Sequence, residues 1–341
     1  MKVSRRVVVT AGASALASSA VLAAPGQTRL RFGAYLAPAS NTIKSIVGPW
    51  IKEVEAASAG QLSFDLYTGG SLGRSPYAAF DLLRAGVSDI AFAQPNYTPG
   101  QFKQLQVLEV PFLTRSSVEA SVVAWTLYER GLAKGFEDVH VLGLWTAEPG
   151  YLFMRLPVRN FDDLKNLKIR TGGRLEGEFI ERLGATPEAM FTAEVYEALR
   201  RRTIDGAVQG IVSAHTFQSY RAVSHVLKAP FGVMSFALMM NKRAWERLSP
   251  ELQEILTGKG GLHLALSGGT AYDKYAREID AKFHALGTMT YVEPSPEDIE
   301  QLEVAVKPLV DAWIARTENG AETYAAAKDI LAQLRSRERA S

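Results

Sequence analysis

Strand-like and helix-like hydrophobic patterns alternate along the chain from about residue 28 onward. TRLRFGAYL alternates like a strand, SNTIKSIVGPWIKEVEAASAG carries apolar residues at helical spacing, and QLSFDLY again alternates like a strand. SPYAAFDLLRAG predicts a helix that begins at Ser75, with Pro76 in its first turn and Gly86 beyond its end. DIAFAQ predicts a third strand. This β-α-β-α-β order favours a parallel, doubly wound sheet.

The pattern then starts again, which predicts a second α/β lobe. VHVLGLWT, YLFMRLPV, KIR, PEAMF and DGAVQ are typical of strands, and GEFIERLG and AEVYEALRRR of helices. FGVMSFALMMN predicts a long strand between the lobes, and the chain from about Lys242 is mainly helical. We therefore predict an α/β clamp of two hinged lobes with extra C-terminal helices. The expected bounds are 25–146 plus about 233–275 for lobe I, and 147–232 plus about 276–335 for lobe II.

The N-terminus predicts export. MKVSRR is a basic start, and a short, mildly apolar stretch ending in small residues follows it, so residues 1–24 resemble a cleavable signal peptide. SRRVVV also loosely fits the twin-arginine export signal. Residues 1–23 hold three of the 38 basic residues and no acid, which leaves 35 basic against 36 acidic residues after cleavage. Such a balance gives no reason to expect nucleic-acid binding.

The absence of cysteine excludes several classes of site. With no Cys, the chain has no disulfide, no thiolate nucleophile, no cysteine metal site and no acylation point for a lipoprotein. The five histidines are scattered without metal-ligand spacing. We expect no cofactor, no bound metal and an exported, soluble protein without a membrane anchor.

Arg170 is the residue that most directly suggests a ligand. It ends the predicted strand LKNLKIR and is followed by TGG and a helical segment. A charged side chain is costly at such an edge unless it is paired, and a carboxylate pairs well because guanidinium offers two parallel hydrogen bonds. Ligands of open α/β sheets lie at the carboxyl ends of strands, where AQPNYTPG, LAPAS and AVQG are also expected.

One glycine-rich motif suggests another function, and a second one does not have the spacing that its function requires. GGSLG matches the G-x-S-x-G pattern of an α/β-hydrolase, with Ser71 as nucleophile, so a secreted esterase is the alternative function. The predicted helix begins only at Ser75, however, and no HGGG-type motif is present. GGRLEG lacks the spacing of a dinucleotide-binding motif.

Four ordered blocks resemble the substrate-binding proteins of TRAP (tripartite ATP-independent periplasmic) transporters of the DctP type. They are WIKEVEAASAGQLSFDLYTGGSLG, FDLLRAGVSDIAFAQPNYTPGQF…LEVPFL, LKNLKIR…GATPEAMFTAEVYEALRRRTIDG and NKRAWERLSPELQEIL, and the resemblance spans roughly residues 28–330. It implies a periplasmic-binding-protein-like clamp that closes on a small organic acid. It also implies delivery to a permease of a small and a large membrane subunit, driven by ion gradients. The family's ligand-binding arginine falls on Arg170.

The sequence departs from the family pattern in two places. WTAEPGYLFM has no Lys or Arg between Trp145 and Met154, which argues against a two-arginine sugar-acid site. The segment from Ala207 to Gly210 lacks a carboxylate, so the metal site of the keto-acid members is not expected. Gln209 would occupy the polar position that faces the ligand. We expect a monomeric receptor for an aromatic or branched monocarboxylate, with a sugar acid or dicarboxylate as the alternative.

Six further side chains are candidates for ligand contact beside Arg170, and each also has a purely structural interpretation. Asn96 and Tyr97 lie in a loop where turn chemistry explains Asn equally well. Trp145 is as well explained by core packing, whereas Phe191 has a better case for ligand contact because it ends a predicted strand. The complete candidate set is Arg170, Gln209, Asn96, Tyr97, Trp145, Phe191 and Tyr35.

Overall fold

A computed structural model describes residues 26–339 of the chain. The predicted signal peptide, 1–24, lies outside the described residues. The strands are, in chain order, β1 (Thr28–Gly33), β2 (Leu62–Tyr67), β3 (Ile90–Ala93), β4 (Val139–Thr146), β5 (Tyr151–Met154), β6 (Lys168–Thr171), β7 (Thr186–Ala189), β8 (Gly206–Gln209), β9 (His225–Leu227), β10 (Ser235–Asn241) and β11 (Thr290–Val292). They form two sheets, ordered β2-β1-β3-β10-β4 and β11-β9-β5-β8-β6-β7.

Helices cover both sheets and form most of the C-terminal part. They are α1 (Gly48–Ala57), α2 (Ala79–Arg84), α3 (Ser117–Glu129), α4 (Arg174–Arg182), α5 (Val195–Arg200), α6 (Ile211–Thr216), α7 (Lys242–Glu246), α8 (Pro250–Lys259), α9 (Gly261–Leu286), α10 (Pro296–Arg316) and α11 (Gly320–Glu338). Two sheets with helices confirm the predicted α/β class. Among the described residues, no helix combines the length and the apolar character needed to cross a bilayer.

Both sheets are mixed, which corrects the prediction of a purely parallel arrangement. Strands β1, β2 and β3 are parallel, as are β6, β7 and β8. Strand β10 is antiparallel to β3 and β4, and β5 is antiparallel to β8 and β9. These strands enter after the chain has crossed from one sheet to the other, so no crossover helix fixes their direction.

The chain crosses between the sheets at two short links and along one helix. Residues 147–150 join β4 to β5, and residues 228–234 join β9 to β10, so the predicted long strand 231–241 is shorter than expected. Helix α9 packs against α3 and β4 on one side and against α6 on the other. These crossings bring the two sheets together around the site.

Helix α3 was not indicated by any periodic pattern, and its burial explains why. Nine of its side chains are buried, including Ala120, Val123 and Leu127, so the helix has no polar stripe to reveal its period. Strands β9 and β11 have three residues each, too few for an alternation to be seen.

The C-terminal helices attach to both lobes. Helix α10 packs against α4, whereas α11 packs against α3 and α10. Arg335 of α11 forms a partly buried ion pair with Glu119 at 2.7 Å, and the indole N–H of Trp313 donates to the carbonyl of Lys103 at 3.1 Å. The lobe bounds remain a proposal, and the packing of α11 favours assigning it to lobe I.

Candidate functional site

A cavity lies between the two sheets. All four strand ends that were expected at the site contribute to the wall, through Leu36 after β1, Gln94 after β3, Arg170 at the end of β6 and Gln209 at the end of β8. Residues from both lobes therefore surround the cavity.

Arg170 lies in the cavity wall with only 1% of its surface exposed. Its Nε donates to the carbonyl of Met190 at 3.1 Å, Nη1 to the carbonyl of Val208 at 2.9 Å, and Nη2 to Oγ1 of Thr192 at 2.9 Å. A guanidinium group has five N–H donors, so these bonds leave one on each terminal nitrogen. The three contacts hold the group rigidly and leave a two-pronged donor for a carboxylate.

Two amide side chains add free donors to the wall. Nε2 of Gln209 and Nδ2 of Asn41 are buried without a hydrogen-bond partner in the described structure. Their oxygens are engaged, because Ser219 donates to Gln209 at 3.0 Å and Ser45 donates to Asn41 at 2.8 Å. A buried donor without a partner is costly, so both amides are suited to an acceptor on a ligand.

Three glutamates line the same cavity. Glu109 of lobe I accepts hydrogen bonds from Nδ2 of Asn96 at 2.9 Å and from the backbone N–H of Leu175 at 2.8 Å, which ties it to the first turn of α4. Burial, and secondarily the nearby Glu176, raises the pKa of Glu109 to about 7. Burial also raises the pKa of Glu176, whereas the positive charge of Arg170 lowers it.

Glu148 is the third of these glutamates and lies in the link between β4 and β5. Its Oε1 accepts a hydrogen bond from the backbone N–H of Val212 at 2.8 Å, while its Oε2 is buried without a partner in the described structure. Burial raises the pKa of Glu148 to about 7. The segment in which the resemblance would place a second basic residue thus supplies an acid to the cavity.

Aromatic rings form much of the remaining wall. Trp145 lies behind this wall, fully buried, with its ring centroid 5.9 Å from Phe92 and 5.8 Å from Phe236, and both of these phenylalanines line the cavity. The aromatic side chains of the wall are Phe92, Phe217, Phe231, Phe236 and Tyr272. An aromatic ring on a ligand would find faces and edges to pack against.

Tyr35, Tyr97 and Phe191 form a cluster that bridges the lobes beside the cavity. The ring of Phe191 lies 5.7 Å from Tyr35 and 5.5 Å from Tyr97, in edge-on geometry. Tyr97 also shares a hydrogen bond of 2.9 Å with Thr192, the residue that holds Arg170. The contacts indicate that these rings hold the lobes together, and ligand contact by them remains a prediction.

Both polar atoms of the Asn96 side chain bond to protein groups. Its Oδ1 accepts hydrogen bonds from the backbone N–H and the hydroxyl of Ser235, at 2.7 and 2.8 Å, and its amide group donates to Glu109. The side chain therefore fixes β10 and Glu109 in place, and a direct contact with ligand also remains a prediction.

Sequence reasoning missed the glutamates and most of the aromatic wall. Glu109 follows a stretch with no strand pattern, and Glu148 lies in a link where only the absence of a basic residue was noted. Phe92 and Tyr272 lie far in sequence from Phe217, Phe231 and Phe236, and only the fold brings these two groups together. The one available signal was the position of Glu148 at the end of a buried strand, where a charge also requires a partner.

A clamp that encloses a buried arginine in an aromatic cavity defines a solute receptor. The chain belongs to the DctP family of bacterial extracellular solute-binding proteins, family 7, whose model matches residues 32–317. The resemblance to TRAP solute-binding proteins is thereby confirmed. The family gives no support to the hydrolase alternative at Ser71, which lies in an exposed turn.

Solved structures of the family share the fold closely. One is a TRAP solute-binding protein from a marine metagenome, specific for aromatic acid ligands and solved with 3-hydroxybenzoate; it is 26% identical, with a TM-score of 0.85 over 90% of this chain and 98% of that one. Another, from Rhodoferax ferrireducens, holds copurified benzoate; it is 25% identical, with the same TM-score and coverage.

A curated relative extends the comparison to sequence. The outer membrane transporter protein TsaT of Comamonas testosteroni is 27% identical over 320 residues, covering 91% of this chain and 94% of that protein. Within the described residues, no group of three or more His, Cys, Asp or Glu side chains is placed to hold a metal ion.

Proposed function

We propose that this protein is the periplasmic receptor of a TRAP transporter and captures an aromatic monocarboxylate in the cavity between its lobes. The observation that carries the proposal is the buried guanidinium of Arg170, fixed by three hydrogen bonds and facing a cavity walled by aromatic rings. The ligand carboxylate would take the two free N–H groups of Arg170. Its ring would pack among Phe92, Phe217 and Phe236.

The charges of the wall argue against the alternative ligands. Among the described residues that line the cavity, Arg170 is the only Arg or Lys, whereas three are glutamates. A dicarboxylate would place its second charge near these acids without a second cation, which is unfavourable in a buried site. The two related structures that hold 3-hydroxybenzoate and benzoate support an aromatic acid.

The same proposal extends to the export, oligomeric state and membrane partners of the receptor. The receptor would be exported through its N-terminal signal, possess no lipid anchor, act as a monomer without catalysis, and deliver the ligand to a small and a large membrane subunit of the permease. Hinge closure would bury the ligand and exclude water, and exclusion of water strengthens the pair with Arg170.

A thermal-shift screen tests the proposal. The protein is expressed with its own leader, purified from the periplasmic fraction and screened against benzoate, mandelate, succinate and glucuronate. An acid at about 100 times its dissociation constant stabilises the folded state by roughly 2.7 kcal/mol. We expect the aromatic acids to raise the melting temperature and succinate to leave it unchanged. A screen in which no carboxylic acid shifts the transition contradicts the proposal.

A further inference from the structure

Glu148 lines the cavity and carries a buried polar atom without a hydrogen-bond partner in the described structure. Its Oε1 is held by the backbone N–H of Val212 at 2.8 Å, which fixes the plane of the carboxyl group. Its Oε2 exposes less than 1 Å² to solvent and has no hydrogen-bond partner in the described structure. The described residues also provide no ion pair to Glu148 within 4.0 Å, although the residue borders an outer cleft that contains Arg115 and Lys228. Buried carboxyl oxygens rarely stay unpaired, so a partner from the ligand is the natural explanation.

Arg170 and Glu148 both bond to the backbone of one short segment, residues 208–212. Arg170 is bonded to the carbonyl of Val208, and Glu148 is bonded to the N–H of Val212, four residues further along. Strand β8 ends at Gln209 and helix α6 begins at Ile211, so the chain turns at Gly210 between these two anchor points. Two of the three intervening residues, Gln209 and Gly210, line the same cavity as Arg170 and Glu148. A ligand bound to Arg170 can therefore extend along this segment towards Glu148.

Gly210 allows the carboxyl group to reach this position. A Cβ atom at residue 210 would lie 2.3 Å from Oε1 of Glu148, closer than any real contact allows. Any other residue at position 210 would push the carboxyl group off the wall. The close approach of Glu148 to the segment thus depends on this glycine.

We propose that Glu148 recognises a hydroxyl group on the ligand, so that the substrate class is the hydroxylated aromatic monocarboxylates. The carboxylate binds at Arg170, the ring lies along Gln209 and Gly210, and the hydroxyl pairs with Oε2 of Glu148. This assignment rests on the proposed function and adds to it the residue that selects among aromatic acids.

The protonation of Glu148 favours a hydroxyl over other polar groups. Burial raises the pKa of Glu148 to about 7, with the negative charge of Asp273 as a further cause, so both the acid and the carboxylate form are populated near neutral pH. A hydroxyl donates to a carboxylate and accepts from a carboxylic acid. An ammonium group pairs only with the ionised form, and a second carboxylate pairs only with the protonated form.

Calorimetric titration of benzoate, 3-hydroxybenzoate, 4-hydroxybenzoate and 3-methylbenzoate into the periplasmic protein tests the assignment. The methyl compound controls for size. We expect one hydroxybenzoate to bind roughly tenfold or more tightly than benzoate and 3-methylbenzoate, because a hydrogen bond to a charged buried group is stronger than a neutral one. In Glu148→Leu that ratio should fall to about one while benzoate still binds.

Two further variants make the result decisive. Glu254→Leu, at an exposed position of α8, should keep the full preference for the hydroxyl. Glu148→Gln keeps an oxygen for the N–H of Val212 and turns the other atom into a donor only. Its amide should therefore donate to the hydroxyl oxygen of the hydroxybenzoate and keep that ligand bound, but weaken binding of 3-aminobenzoate. It also serves as the test if the leucine variant does not fold.

The outcomes separate this assignment from the proposed function. Benzoate binding without preference for either hydroxybenzoate, or an unchanged preference in Glu148→Leu, would overturn the role of Glu148 and leave the proposed function in place. If no aromatic acid binds, benzoate included, both fail.

Discussion

Glu109 accepts a hydrogen bond at 2.8 Å from the backbone N–H of Leu175, across the boundary between the two lobes. The acceptor belongs to lobe I, and the donor lies in the first turn of α4 on lobe II. A carboxylate at a helix N-terminus satisfies backbone donors and interacts favourably with the helix dipole. The contact therefore links the two lobes at the cavity that Arg170 also lines.

Removing this contact should weaken ligand binding, because the arrangement in which the two lobes enclose the ligand becomes less stable. Glu109→Ala deletes the acceptor for Leu175 and for Asn96, and loss of a helix N-cap costs about 1 kcal/mol. We expect the dissociation constant of the best aromatic acid to rise roughly fivefold to tenfold, measured by calorimetry. Glu129→Ala, at an exposed position on α3, is the matched control. An unchanged affinity in Glu109→Ala would show that this contact does not hold the closed state.

The aromatic cluster of Tyr35, Tyr97 and Phe191 should help to hold the two lobes together, and small-angle scattering can detect this contribution. Phe191→Ala removes the ring that packs on Tyr35 and Tyr97 across the lobes, and such ring pairs are worth about 0.5–1.5 kcal/mol beyond their buried area. We expect weaker binding and a larger radius of gyration of the free protein in small-angle scattering. Tyr77→Ala removes a ring that touches Tyr97 from within lobe I and should leave the radius unchanged. Equal radii for both variants would argue against a bridging role of Phe191.

Gln209 should contribute to affinity through its free amide nitrogen. Gln209→Ala removes a buried donor that lines the cavity, and a net contribution of about 1 kcal/mol corresponds to roughly fivefold in the dissociation constant. Gln301→Ala, at an exposed position on α10, controls for the substitution itself. Calorimetry of both variants with the same acid decides the matter, and equal affinities would mean that Nε2 of Gln209 faces no ligand atom.

Stability should decrease as the pH rises through neutrality. The pKa values of Glu148 and Glu109 are raised by burial to about 7, so the folded state binds more protons than the unfolded chain between about pH 4.5 and pH 7. The contribution of these groups is fully present below the unfolded value and is lost as the pH rises through the folded one. Burial lowers the pKa of His140 to about 4, so this group acts in the opposite direction up to about pH 6.5. We therefore expect the free energy of unfolding, from urea titrations without ligand, to fall between about pH 6.5 and about pH 8.

The Glu148→Gln variant tests the origin of that decrease. It removes one of the two groups, so the slope of stability against pH should become shallower while the part due to Glu109 remains. The carboxyl groups next to these two, Glu176 and Asp273, are unchanged in the variant. A slope identical to that of the wild type would mean that Glu148 titrates normally.

The sequence predicted most regular elements and the position of the site because both depend on local patterns. Local hydrophobic patterns identified β1, β2 and β3, and the rule for strand ends placed Arg170 and Gln209 at one cavity. The direction of β10 was not predictable, because it depends on how the chain crosses between lobes. Glu109 and Glu148 were missed because their roles arise from contacts with α4 and α6, far away in sequence.

The candidate aromatic residues show the same limit. Trp145 was singled out as a large side chain near a strand end, yet its ring lies behind Phe92 and Phe236, which form the surface of the wall. An alternating hydrophobic pattern indicates which side chains of a strand are buried. It does not indicate whether a buried side chain faces a cavity or the core behind it.

The role of Arg170 is tested most directly by calorimetric titration of benzoate into wild type, Arg170→Lys and Arg170→Ala. Arg174→Ala removes an exposed arginine four residues away and is the control. Lysine keeps the charge but cannot form the two-pronged pair. Loss of one partner of a buried charge pair costs about 2–5 kcal/mol, or roughly 30-fold to several-thousand-fold in affinity. We predict a loss of this size in Arg170→Ala, at least tenfold weaker binding in Arg170→Lys, and wild-type affinity in Arg174→Ala. Wild-type affinity in folded Arg170→Ala would contradict the account.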